Sequence, residues 1–421
     1  EGINSTAKQF LISVLNCLLH FGIYKLFDLI ICKLLNGYSY SAWFATGVFV
    51  FILNYAVARV FVFDCLSSAE NKKNGRIYKI FFDNRYSFLS MLGALICLLF
   101  FYILFSVFPF GDTTVLRMDL YHQYGPLFTE LFDRIVERKS FIYSFTSGGG
   151  SSFLGNYFNY LSSPLSVLIF LFDRIQMPFA ISFLVGLKCI LSSGSFSYYL
   201  RKSQKINNVF ISVFGLFYAF SAYFLAYFWN IMWLDALVLF PFVVLGVEKI
   251  INEGKPKLYI ISLALMLFCN YYMGYMACIF AVIYFVAYYF MDNSLSSKIE
   301  AKNTKNKILC NKFINRGIYF ALSSLCVGMI CAFFLVPVYF ILTSSSATSG
   351  TFPKTFESYF GIFDFIKNHF ALLETTIRSS GDDVLPNVYC GVLTLILVPL
   401  FVINKNIKTK EKGIYILLLL F

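Results

Sequence analysis

The sequence is short of charge. Lys, Arg, Asp and Glu together make up 13% of its 421 residues, where a soluble globular domain carries about 25%. With 59% hydrophobic residues and a mean hydropathy of +0.72, that shortage excludes an ordinary soluble domain and leaves a polytopic membrane protein. Other absences narrow the chemistry. There is no C-x-x-C pair, and eight of the 11 cysteines (Cys17, Cys32, Cys97, Cys189, Cys269, Cys278, Cys326 and Cys331) lie in apolar runs. They read as small, soft hydrophobes, so neither a disulfide framework nor a metal site is supported. There is no G-x-x-x-x-G-K-[ST], which leaves an ATP-driven pump without a nucleotide loop. The apolar runs lack the charge pattern of ion-coupled transporters. Lys188 and Arg59 are the exceptions, and both are expected to snorkel from the inner ends of their spans.

What charge there is has a positive balance. The net charge is +12, but the basic residues are scattered among loops, which excludes nucleic acid as a partner and points to topogenic signals facing the bilayer. The chain begins at Glu1 rather than Met and stops inside an apolar run over residues 414–421. It reads as part of a longer protein.

A membrane helix needs about 20 apolar residues. Residues 10–32, 40–63, 87–108, 179–200, 209–228, 236–251, 317–342 and 388–403 are the expected crossings, and another starts at Gly413. Residues 258–269 and 276–291 read as a short hairpin with its tip at Asn270-Tyr-Tyr-Met-Gly-Tyr275. Alternate loops then fall on one side. The expected inner loops hold 21 Lys and Arg, and the two large outer loops hold eight in a longer stretch of sequence. That bias is the inside-positive rule. It places four polar features on one outer face: the segment over residues 109–176, the turn Trp229 to Asp235, the Asn270 tip, and the loop over residues 343–387.

The long first outer loop carries most of the candidate chemistry. Residues 126–138 predict an amphipathic helix, with Leu127, Leu131, Phe132 and Ile135 on the core face and Glu130, Asp133, Arg134 and Glu137 opposite. Residues 164–172 are apolar but too short to cross, so they are expected to lie along the interface. Gly148-Gly149-Gly150 is expected to act as a hinge. Asp119, flanked by Tyr121 and His122, can accept a proton from an acceptor hydroxyl. It can equally ligate a divalent cation, magnesium or manganese, although no residue set demands one. A solvated loop aspartate is the competing reading. Asp235 sits where a carboxylate would cap the start of a span. Asp382-Asp383 resembles a metal-binding pair only weakly.

Several motifs occur together in one order. Met118-Asp119-Leu-Tyr-His-Gln-Tyr124, Tyr143-Ser-Phe-Thr-Ser-Gly-Gly149, Tyr160-Leu-Ser-Ser-Pro164, Asn230-Ile-Met-Trp-Leu-Asp235, Asn270-Tyr-Tyr-Met-Gly-Tyr275 and Pro386-Asn-Val-Tyr-Cys-Gly391 resemble the YfhO family. That family is similar to the GT-C glycosyltransferases, multi-span enzymes that take a sugar from a polyprenyl-phosphate carrier on the outer face with an aspartate of the first outer loop. The resemblance implies an all-α, polytopic transmembrane helical bundle of GT-C-like form, whose long first outer loop carries short helices. It implies a cell-membrane transferase with Asp119 as catalytic base. The expected substrate-binding residues are Tyr121, His122, Gln123, Trp233, Asp235, Asn270, Tyr271 and Tyr272. The implied partners are a polyprenyl-phosphate-linked sugar and an envelope polymer acceptor such as teichoic acid.

Residues 1–63 resemble the first half of a GtrA-like module, through Asn16, Phe21-Gly22, Tyr24, Asn54, Arg59 and Phe63. His20 stands where such modules usually carry an aspartate. The expected organisation is therefore a two-span segment (1–63), an inner linker (64–86) and a YfhO-like transmembrane domain (87–421). A flippase or transporter of the lipid-linked sugar is the alternative from a different functional class.

Overall fold

The computed structural model describes residues 82–291, 312–344, 361–370 and 387–420. The segment 1–63, the linker up to residue 81, Asp382-Asp383 and most of the loop over residues 343–387 lie outside these residues. The chain divides into two compact units, Glu1–Val115 and Leu116–Phe421. In the first, α1 (Arg85–Leu104) is long and apolar enough to cross a membrane. It ends in a tight turn that Thr113 closes by donating its Oγ1 hydroxyl to the carbonyls of Phe105 and Ser106, at 2.8 and 2.7 Å.

The second unit opens with a π-helical turn, Leu120–Tyr124, that runs into α2 (Gly125–Val136). A two-stranded antiparallel hairpin follows, β1 (Tyr143–Ser144) with β2 (Ser151–Ser152). The short α3 (Phe153–Asn156), a second π-turn (Tyr157–Leu161) and a 3-10 segment (Pro164–Leu171) complete the loop. The bundle comprises α4 (Met177–Ser203), α5 (Val209–Ala219), α6 (Ala222–Tyr227), α7 (Ile231–Glu253), α8 (Lys257–Cys269), α9 (Tyr271–Met291) and α10 (Lys312–Thr343). The short α11 (Ile362–Lys367), α12 (Val392–Ile403) and α13 (Thr409–Leu420) follow. Six stretches among the described residues are long and apolar enough to span a bilayer. The protein is an all-α, multi-pass bundle, and its two-residue strands are the exception.

Helix α7 is central, with α4, α8 and α9 packed around it. Cross-contacts fix the directions. Lys188 meets Asp235, while Ser203 meets Glu248, so α4 and α7 run parallel. Tyr284 and Tyr288 of α9 meet Glu248 and Asn252, so α9 runs the same way. Helix α8 runs against them. Loop 116–176 therefore sits over the starts of α4, α7 and α9. Arg201, Lys202, Lys249, Lys255 and Lys257 lie at the opposite end, where a Cβ on Gly254 would touch the Arg316 guanidinium. This is the alternation the charge bias predicts.

Small residues set the spacing. Ser192, Ser193, Gly194, Ser195 and Ser197 form a buried stripe on α4. The hydroxyls of Ser192, Ser195 and Ser197 are returned to backbone carbonyls of α4, and that of Ser197 also reaches the Ile211 carbonyl on α5 at 2.9 Å. Such stripes let apolar helices approach closely. Gly246 is the tightest point between α7 and α8: a Cβ there would lie 2.6 Å from the backbone N and Cα of Tyr259. Gly246→Ala is expected to cost about 1–3 kcal/mol by overpacking. A fall in the midpoint of thermal unfolding in detergent checks this, and an unchanged midpoint would refute the close crossing.

Three sequence expectations change here. Asp235 caps nothing: α7 begins at Ile231, with Asn230 at the cap position, so Asp235 lies inside the first turns. Lys188 does not snorkel. Its side chain is 2% exposed and its ammonium donates to Asp235 at 2.7 Å and to the Ile231 carbonyl at 3.0 Å. The end of α4 is 15 residues away, about 22 Å at helical rise, beyond the reach of a lysine stem. The Asn270 tip is a break of one residue, because Tyr271 onward is already helical.

At the basic end, one buried carboxylate joins three helices. Glu248 on α7 accepts hydrogen bonds from Tyr199 and Ser203 of α4 at 3.0 and 2.9 Å and from Tyr284 of α9 at 2.8 Å.

Candidate functional site

Asp119 stands at the start of the π-turn Leu120–Tyr124, exposed and making no capping bond. π-Helical turns are rare and concentrate at functional sites, and this loop holds two of them. They meet through Tyr124 and Tyr160, whose rings pack edge to face with centroids 5.6 Å apart. Tyr124 is fully buried. Burial, then the neighbouring Tyr160 hydroxyl and the Asp119 carboxylate, push its phenol well above the usual range. A neutral hydroxyl therefore lies within electrostatic reach of Asp119.

Beyond the turn opens a polar cavity of about 930 Å³, within the size range of small-ligand sites. His122 and Gln123 line it, together with residues of α2, the β-hairpin and Arg174. Its wall is built on Arg134. The sequence pattern sets this residue on the solvent face of α2, but it is buried, and Ile135 takes the exposed position instead. The physical reason is a dense set of partners. Arg134 pairs with Glu130 one turn earlier at 2.7 Å, donates to the carbonyls of Ser140 and Tyr143, and lies over the Phe153 ring at 4.1 Å. Ser144 donates to the same Glu130 oxygen at 2.6 Å. One turn along, Arg174 grips Asp133 with two bonds of 2.6 and 2.9 Å. This fork holds the Asp133 carboxyl below its ordinary range, chiefly through the hydrogen bond.

The hairpin that carries Tyr143 and Phe145 over the cavity depends on Gly148-Gly149-Gly150, all at positive φ. These are conformations glycine adopts without strain, so the run lets the chain reverse here. At Gly150 (φ +127°) a Cβ would lie 2.2 Å from the Tyr143 hydroxyl.

The remaining predicted residues are placed elsewhere. Tyr121 points outward, 63% exposed, with its ring edge on His122. Asp235 is locked between Lys188 and the Ser163 hydroxyl, which donates at 2.8 Å. Asn270 is buried as a knot. Its Oδ1 accepts from the Met273 backbone and so caps α9, while its amide reaches the Asn159 carbonyl and the Met232 sulfur, both at 3.1 Å. Trp233 packs on Tyr227, and its buried indole N–H has no partner. Tyr271 and Tyr272 line a second, apolar groove of about 520 Å³ between α8, α9 and α10. His122 and Gln123 thus line one cavity, while Asp119, at the head of the same turn, is exposed and is not part of its lining. Asp235 and Asn270 lie beneath the loop as its anchors, aided by Ser162, which donates to the Phe268 carbonyl at 2.6 Å. Among the described residues no cluster of three or more His, Cys, Asp or Glu could hold a metal ion.

Comparison with known proteins agrees with the fold and leaves the chemistry open. A 173-residue stretch is 31% identical to the uncharacterized protein YfhO of Bacillus subtilis (strain 168), covering 37% of this chain and 19% of that protein. The chain thus matches under a fifth of that relative's length. No solved structure matches. A family model described as bacterial membrane protein YfhO matches residues 90–421, more than three quarters of the chain. The chain belongs to the YfhO family of bacterial membrane proteins.

Proposed function

We propose that this protein is a membrane glycosyltransferase of GT-C-like chemistry, moving a sugar from a polyprenyl-phosphate carrier to a cell-envelope polymer such as teichoic acid on the outer face. The observation that carries the reading is the placement of Asp119. It is an exposed carboxylate on a π-turn whose next residues line a large polar cavity, at the end of the bundle away from the basic residues.

In this reading the Asp119 carboxylate accepts the proton of an acceptor hydroxyl. The freed oxygen forms the new bond to the anomeric carbon. The bond from that carbon to the carrier oxygen breaks, and polyprenyl phosphate leaves with the electron pair. A phosphate is already a good leaving group, so the reaction needs no nucleotide. Tyr124, kept neutral by burial, lies within electrostatic reach of that carboxylate without bonding to it, which leaves both carboxylate oxygens free for the acceptor. A divalent cation would assist by neutralising the departing phosphate. Residues 1–63, on their GtrA-like resemblance, serve as a docking segment.

The test is the sugar content of envelope polymers in a strain lacking the gene, complemented with the full-length protein. Sugar lost on deletion and restored on complementation supports the transferase. Unchanged polymer sugar in the deletion strain would overturn it. Accumulation of the carrier-linked sugar on the inner face would favour a flippase.

A further inference from the structure

The charged side chains of the cavity wall are already answered from within the loop. Arg134 is held by Glu130, Arg174 by Asp133 through a two-bond fork, and Lys139 by Glu137 at 2.5 Å. A phosphate entering here would have to break one of these pairs, and the wall offers no cation free of a counter-ion to receive it. The remaining chemistry is neutral: the Gln123 amide, the Ser147 hydroxyl, and the Asn156 amide, which spends one long 3.5 Å bond on the Ser151 hydroxyl. Beside them stand two aromatic rings on the hairpin. Phe145 is 84% exposed, and Tyr143 packs against it with centroids 4.9 Å apart and planes at 72°. The glycine turn closes the hairpin that presents them.

Neutral hydrogen-bonding groups beside an exposed ring, on a wall whose charges pair with one another, suit one ligand class. A sugar ring has an edge of hydroxyls for the amides and a face of C–H bonds for the aromatic. We propose that this cavity is a subsite for a neutral, polyhydroxylated ring, a hexose-like unit stacked on Phe145, and that it does not receive the carrier's phosphate. The inference rests on the transferase reading and specifies which part of a substrate enters. Two sources share the chemistry: the sugar on the carrier, and a sugar or polyol unit of the acceptor polymer.

The experiment is saturation-transfer NMR on the full-length protein in detergent, with methyl glucoside and methyl N-acetylglucosaminide as probes and inorganic phosphate as competitor. Saturable binding of at least one glycoside is expected. It should weaken about tenfold in Phe145→Ala, the scale of an aromatic stacking contact, and recover in Phe145→Tyr. Phosphate at equal concentration should displace neither probe. No saturable binding, binding unchanged in Phe145→Ala, or displacement by phosphate would each overturn the proposal. Phe145 is exposed, so its replacement leaves the fold intact, and an unchanged unfolding midpoint verifies this. In a transfer assay, a rise in KM for the carrier-linked sugar alone assigns the subsite to the donor, and a rise for the polymer alone assigns it to the acceptor. Binding needs no turnover. A protein that binds glycosides through Phe145 but transfers no sugar would refute the transferase and leave the subsite standing.

Discussion

Lys188→Met is expected to destabilise the bundle by about 3–5 kcal/mol, because it leaves a buried carboxylate without its counter-charge. The Asp235 side chain is 5% exposed and that of Lys188 2%, so water cannot replace the lost partner. Asp235→Leu should cost a similar amount by stranding the ammonium, which would keep only the Ile231 carbonyl at 3.0 Å. The double replacement, Lys188→Met with Asp235→Leu, should recover most of the loss. Two charges are then absent together, and apolar side chains of similar volume fill the space. Its residual deficit is about 1 kcal/mol from the Ser163 hydroxyl, which loses its acceptor. Thermal unfolding of the four proteins in one detergent checks the pattern. If the double variant is as unstable as the sum of the singles, the pair is not coupled as described.

Asp119→Asn is expected to behave in the opposite way, with no change in stability and a loss of about 10²–10⁴ in kcat, the usual worth of a positioned general base. At about 1.36 kcal/mol per decade this is roughly 3–5 kcal/mol of transition-state stabilisation. Stability is spared because the side chain is exposed and caps nothing. The amide keeps the size of the carboxylate but cannot take a proton from the acceptor. The measurement is single-turnover transfer from a polyprenyl-phosphate sugar by the full-length protein. Wild-type rates with Asp119→Asn would remove Asp119 from the mechanism and leave the carrier reading to stand on other residues.

The bundle was legible because each crossing is a continuous apolar run, and hydropathy reads such runs without knowing their neighbours. The helix α2 was legible through its period, with one instructive failure. Its core stripe passes through Arg134, whose burial depends on the carbonyls of Ser140 and Tyr143 and on the Phe153 ring. Nothing local to α2 announces those partners. The Lys188–Asp235 pair was hidden for the same reason, since its members are 47 residues apart and each alone had a plausible solitary role. His122 and Gln123, named from the sequence as neighbours of Asp119, both line the cavity. Phe145 and Arg174 reach the same cavity from other elements, and no spacing rule points to them. The Asn270 motif was correctly singled out as polar and unusual, but its chemistry is spent on holding α7, α9 and the loop together.

The two polar links between α4 and α7 have a joint consequence. Lys188–Asp235 sits near the start of α7 and the Glu248 cluster near its end, 13 residues apart and so about 20 Å along the axis. A single link between parallel helices permits rotation about it. Two links at that separation permit neither rotation nor sliding. The α4–α7 pair is thus a stator, and Tyr284 extends it to the basic half of α9.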